Sequence, residues 1–94
     1  MRPSEALAKH RDEVLAIIAR YPVSNPRVFG STARGEDVEG SDLDLLVDNP
    51  GDVTFEHLFR LESEISLLLD CPVEIATLLK PHALKDAKRD LKPL

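Results

Sequence analysis

Residues 28–48 read VFGSTARGEDVEGSDLDLLVD, and the two ends of this stretch differ in kind from its middle. From Ser41 onward polar and apolar residues alternate, with Asp42, Asp44 and Asp48 on one parity and Leu43, Leu45 and Val47 on the other. A period of two belongs to a strand with one buried face, so the leucines and the valine are expected in a core and the aspartates outside it. At the other end, Arg27 to Gly30 is a short β-branched and aromatic run stopped by a glycine, which reads as a second strand. The residues between form a loop with room for a helical turn.

Working outward, Ser4 can cap a helix in which Leu7, Val14, Leu15 and Ile18 recur at helical spacing until Tyr21 and Pro22. The segment from Pro22 to Pro26 reads as a connector. Downstream, Asn49-Pro-Gly-Asp52 is a turn, followed from Thr54 to about Leu69 by a helix with Phe55, Leu58, Leu61, Ile65 and Leu68 assigned to its apolar face. Pro72 opens a third short strand from Val73 to Leu78. Pro81 then begins a basic helix carrying Leu84, Ala87 and Leu91 and running to the end of the sequence at Leu94. The expected fold is α+β: a small mixed sheet of three or more strands flanked by helices, in a single domain over residues 1–94.

Hydrophobic residues make up 43% and charged residues 31% of the 94, too apolar for disorder and ordinary for a globular protein. No apolar run approaches the ~18 residues of a membrane span and the N-terminus lacks a signal peptide's apolar core, so a cytoplasmic location is expected. The lone Cys71 excludes an internal disulfide. Between Glu36 and Glu74 there are twelve acidic residues and one basic residue, Arg60, whereas residues 80–94 carry four Lys and one Arg against two Asp. An acidic centre argues against a nucleic-acid backbone as the main partner and suits cations better. Most of these carboxylates need no role beyond solubility.

Two of them stand apart. Asp42 and Asp44, at i and i+2, leave the same face of a strand about 6.8 Å apart, a spacing suited to divalent cations held about 3.5–4 Å from each other in phosphoryl-transfer sites. Asp48 lies about 13 Å further along and cannot share such an ion. Gly30 lets backbone approach a ligand closely, and Ser31 adds a hydroxyl and an N–H, a combination that suits phosphate. Gly-Ser, ten residues, then Asp-x-Asp resembles the minimal nucleotidyltransferases of the polymerase-beta-like superfamily, and the likeness extends to Ala33, Arg34, Gly35 and Ser41.

The resemblance implies the polymerase-beta-like fold and nucleotide transfer. Gly30 and Ser31 would hold phosphates, and Asp42 and Asp44 would bind two Mg²⁺ ions. The family's third carboxylate falls on the strand after the second long helix, where Glu74 is the matching residue and Asp70 the reserve. Either Glu74 or Asp42 would accept the proton of the incoming hydroxyl. Arg34 is open between contacting phosphate and bracing the loop through Glu36, Asp37 or Glu39. Single-domain relatives act as antitoxins toward HEPN-domain toxins, which are ribonucleases, transferring AMP from ATP to a toxin tyrosine. The implied partners are therefore ATP and a HEPN toxin in a hetero-oligomer. Two other readings stand beside this one: an antitoxin that neutralises by binding alone, and a transferase for a small-molecule hydroxyl.

The remaining candidates read as structural. His10, His57 and His82 are too scattered for a metal pair. Cys71 has no basic neighbour to activate it and reads as a small buried residue. Phe55 and Phe59 read as packing or partner-facing groups, and the basic end as a solvated helix face.

Overall fold

The computed structural model describes residues 1–49, 51–77 and 91–94. The elements are α1 (Pro3–Lys9), α2 (Arg11–Ile18), β1 (Ser24–Phe29), α3 (Ser31–Arg34), β2 (Leu43–Asp48), α4 (Phe55–Leu69), β3 (Val73–Thr77) and β4 (Lys92–Pro93). They build a mixed four-stranded sheet in the order β3-β2-β1-β4. β1 runs antiparallel to β2 and to β4, while β2 and β3 are parallel, as their connection through α4 requires.

The alternation read from β2 holds: Leu43, Leu45 and Val47 are fully buried. With Val28 and Ile75 they meet Ala6, Leu7, Val14, Ile18, Leu61 and Ile65 from the helices, in a core confined to one face of the sheet. Burial of each such side chain contributes about 1.5–3 kcal/mol against exposure. The opposite parity carries Asp44, a buried Leu46 and Asp48 on β2 and, in register with Asp44, Phe29 on β1 and Glu74 on β3.

α4 begins where the sequence places its cap. The Thr54 hydroxyl accepts from the His57 N–H at 3.2 Å while the His57 ring accepts from the Thr54 N–H at 3.2 Å, a reciprocal cap with histidine in the usual glutamate position. Its buried stripe is Leu61, Ile65 and Leu69, with Leu58 and Leu68 packed at the edges. Phe55, assigned to that stripe, is instead 90% exposed. At 100° per residue it lies about 80° around the helix from Ile65, too far to reach the core.

Three further expectations are corrected, and one falls outside the described residues. The long first helix bends at His10 into α1 and α2, although the ladder bonds His10 N–H to Ala6 and Val14 N–H to His10 are kept; the bend lets α1 reach α3 while α2 packs on α4. β1 starts at Ser24, inside the presumed connector, because the register shift between Ser24 and Arg27 absorbs Asn25 and Pro26. The third strand is described from Val73 to Thr77, and Leu78 and most of the expected last helix, residues 81–90, lie outside the described residues. That helix does not run to Leu94: Lys92 and Pro93 form β4, and the Leu94 N–H donates to the Pro26 carbonyl at 3.1 Å. The unfilled edge of β1 offers backbone partners there, and a proline is a poor helix residue.

At the opposite end of the sheet, β2 is the one neighbour of β3 among the described residues, and the Ile75 N–H donates to Glu62 Oε1 of α4 at 2.9 Å. Among the described residues no helix is long and apolar enough to cross a membrane.

Candidate active site

β1 ends at Phe29, paired with Asp44, so the chain leaves the sheet directly beside that carboxylate. Gly30 makes the exit possible with φ 74° and ψ −154°, a conformation side-chain-bearing residues rarely adopt. It also lies against Asp44, where a Cβ would stand 2.8 Å from Asp44 Oδ2. Ser31 opens α3, one short turn closed by Gly35 in the left-handed conformation. Because this turn follows at once, the first N–H groups of α3 have no helical acceptor.

Asp44 is half-buried, faces Glu74 in register on β3, and has Asp42 one residue before β2 begins. Neighbouring parallel strands are about 4.8 Å apart, so Asp44 and Glu74 are side-by-side acids. Burial holds the Asp44 carboxyl above the usual aspartate range, and the negative charges of Glu74 and Asp42 push it further in the same direction. Asp42 and Glu74 are both exposed. Asp70 caps the end of α4 in the left-handed conformation, and Glu74 is the acid in register with Asp44.

Arg34, at the far end of α3, donates from Nε to Glu36 Oε2 at 3.1 Å, one of the loop pairings expected of it. Asp37, one of its expected partners, serves elsewhere: it is 2% exposed, and its Oδ2 accepts the Ser4 N–H of α1 at 2.8 Å. Burial raises the Asp37 carboxyl, but hydrogen bonds from Ser4 and its own N–H, with the Arg2 charge, outweigh that and leave it below the usual range. Arg2 also reaches the Asp37 carbonyl at 3.5 Å. This tie between the loop delivering Asp42 and the start of α1 spans 33 residues and has no local signal in the sequence.

The residues read as structural behave so. Cys71 is buried, and burial followed by the charges of Asp70 and Asp42 pushes its thiol up, away from thiolate chemistry. His10 pairs with Glu13 at 2.9 Å and His57 caps α4; His82 lies outside the described residues.

Among the described residues no three His, Cys, Asp or Glu side chains converge closely enough to enclose an ion. Mg²⁺ asks for less, since it is normally held by one or two carboxylates plus substrate phosphates. An Asp44 carboxylate set among acids and next to a backbone cradle that a Cβ would fill fits that demand.

A glycine turn ahead of a carboxylate pair, on the free face of a mixed sheet, is the arrangement expected of a nucleotidyltransferase domain. The sequence pattern of the nucleotidyltransferase domain family matches residues 7–92, and the chain belongs to that family. More particularly, it is a minimal nucleotidyltransferase with the polymerase-beta-like fold. A solved structure described as a candidate minimal nucleotidyltransferase superposes with a TM-score of 0.83 at 39% identity, over 97% of this chain and 95% of the other. A Methanocaldococcus jannaschii relative, named as a candidate protein adenylyltransferase, is 34% identical over 90 residues, or 93% of this chain and 89% of its own. A chain of the complex between a tri-AMPylated Shewanella oneidensis HEPN toxin and its MNT antitoxin superposes with a TM-score of 0.71 over 92% of this chain and 69% of its own. At 13% identity that likeness concerns the fold alone.

Proposed function

We propose that the chain is an antitoxin that transfers AMP from ATP to a tyrosine hydroxyl of a cognate HEPN toxin in the cytoplasm. The observation that carries this reading is Asp44, flanked by Asp42 and Glu74 and pressed against Gly30. In the transfer, the tyrosine oxygen bonds to the α-phosphorus, the bond to the bridging oxygen of the β-phosphate breaks, and pyrophosphate leaves. Gly30 and Ser31 hold the β and γ phosphates, and Arg34 steadies the loop that follows α3 through Glu36. Asp42 and Asp44, with Glu74, would hold two Mg²⁺ ions. Bound there, Mg²⁺ supplies charge neutralisation on the phosphates and a lowered hydroxyl pKa. Glu74, exposed at the edge of the group, or Asp42 takes the proton.

The test is an intact-mass spectrum of the toxin after incubation with this protein, ATP and Mg²⁺. A gain of one or more AMP units that disappears with Asp42→Asn supports the reading, and an unchanged mass in every condition sinks it. A second reading, neutralisation by binding alone, draws on the exposed Phe55, Phe59 and Leu67 of α4. It expects an unmodified toxin that is silenced in the complex.

A further inference from the structure

Behind the site, on the far side of α3, a groove of about 310 Å³ opens between α1, α3, β1 and β4. Its floor is apolar, formed by Leu7, Ala8, Val28, Ala33 and Pro93, and its rim carries Arg11, Arg34 and Lys92. Arg11 on this rim differs from the other described arginines. Arg2, Arg20, Arg27, Arg34 and Arg60 each pair with a carboxylate: Glu5, Glu64, Asp48, Glu36 and Glu56 in turn. Arg11 is the described arginine without such a pair, and Lys92 likewise has none among the described residues.

In a chain of net charge −5 carboxylates are abundant, yet among the described residues these two cations pair with none of them and instead border an apolar floor. That combination matches a ligand with an apolar body and an anionic head, and the volume falls at the lower end of small-molecule sites, about 300–1,000 Å³. We propose that the groove binds a small amphipathic carboxylate, its apolar body on Leu7, Val28 and Ala33 and its head at Arg11 and Lys92. The walls are the elements that position the Gly30–Ser31 turn. α3 starts at Ser31, β1 ends at Phe29, and β4 pairs with β1 at Arg27 and Val28. A ligand here braces that turn from behind.

The test is a titration of the ¹⁵N-labelled protein with octanoate, and separately with octanol, followed by amide shifts. Binding is read directly, so the result does not depend on whether the chain transfers AMP. The expected result is saturable one-to-one shifts at Ala8, Ala33, Gly35 and Lys92 with octanoate, at least tenfold weaker with octanol. Arg11→Glu should weaken octanoate binding at least fivefold, and Ala8→Phe, which fills the groove, should abolish it. Retained spectral dispersion reports folding of each variant, and Lys92→Glu replaces Arg11→Glu if that variant is misfolded. Absent shifts, shifts mapping elsewhere, or equal binding of the alcohol overturns the proposal.

Discussion

Asp44 and Asp48 are the same residue type on the same strand and the same face, four residues apart, yet they live in opposite surroundings. Asp48 is matched: Arg27 of β1 donates to it across the strands and the Asn25 amide donates at 3.3 Å. Asp44 has two acids for neighbours and a glycine backbone against it. One carboxylate has been neutralised by the fold, and the other has been left with charge to spend on something from outside. That contrast separates a residue that stabilises the sheet from one positioned for chemistry, which their shared parity in the sequence does not.

The sharpest way to break the comparison is to neutralise each aspartate in turn. Asp44→Asn should lower AMP transfer by three orders of magnitude or more while leaving the melting temperature at pH 7 unchanged or raised, since it relieves repulsion; calorimetry beside the mass assay checks both. Next is Gly30→Ala, which forces a Cβ into a glycine-only conformation and toward Asp44 Oδ2. It should cost about 1–3 kcal/mol in urea unfolding and reduce transfer at least tenfold by displacing that carboxylate. Asp48→Asn should do the reverse of Asp44→Asn, costing about 1 kcal/mol with transfer within twofold of the parent. A loss of activity as large as that of Asp44→Asn would erase the distinction drawn above.

The smallest effect concerns pH. The Asp37 carboxyl titrates below its unfolded value of about 3.9, so the folded state binds its proton less readily than the unfolded chain does. The stability this lends is complete above that unfolded value and is lost as pH falls through the lower, folded one. Asp37→Asn should therefore be less stable than the parent at pH 6, with the gap between them closing below about pH 4. Denaturant midpoints measured across that range would show it, and a gap of constant size would rule out the ionised cap.

Features encoded by near neighbours were readable from the sequence. The alternation of Leu43, Leu45 and Val47 and the Thr54 cap of α4 each need only a few consecutive residues, and the Gly30–Ser31 turn with its following Asp-x-Asp is a local motif. What escaped depends on distance or on small angular offsets. Nothing near Asp37 announces that it caps a helix 33 residues away, and nothing near Lys92 announces that it joins the edge of β1. Phe55 lies off the buried stripe of α4 because a few tens of degrees around a helix decide between burial and solvent. Glu74 came by resemblance, and its place beside Asp44 depends on the register of two parallel strands, which no single strand contains.

The Glu62 side chain that accepts the Ile75 N–H has a consequence for crowding. A bare strand margin is an invitation to any other extended chain, and here one of its open rungs is already taken by a carboxylate from α4. An incoming strand would have to evict that anion and offer it a substitute donor, or else trap a negative charge without a partner. Among the described residues, that rung of β3 opens to a second strand only if Glu62 gives it up.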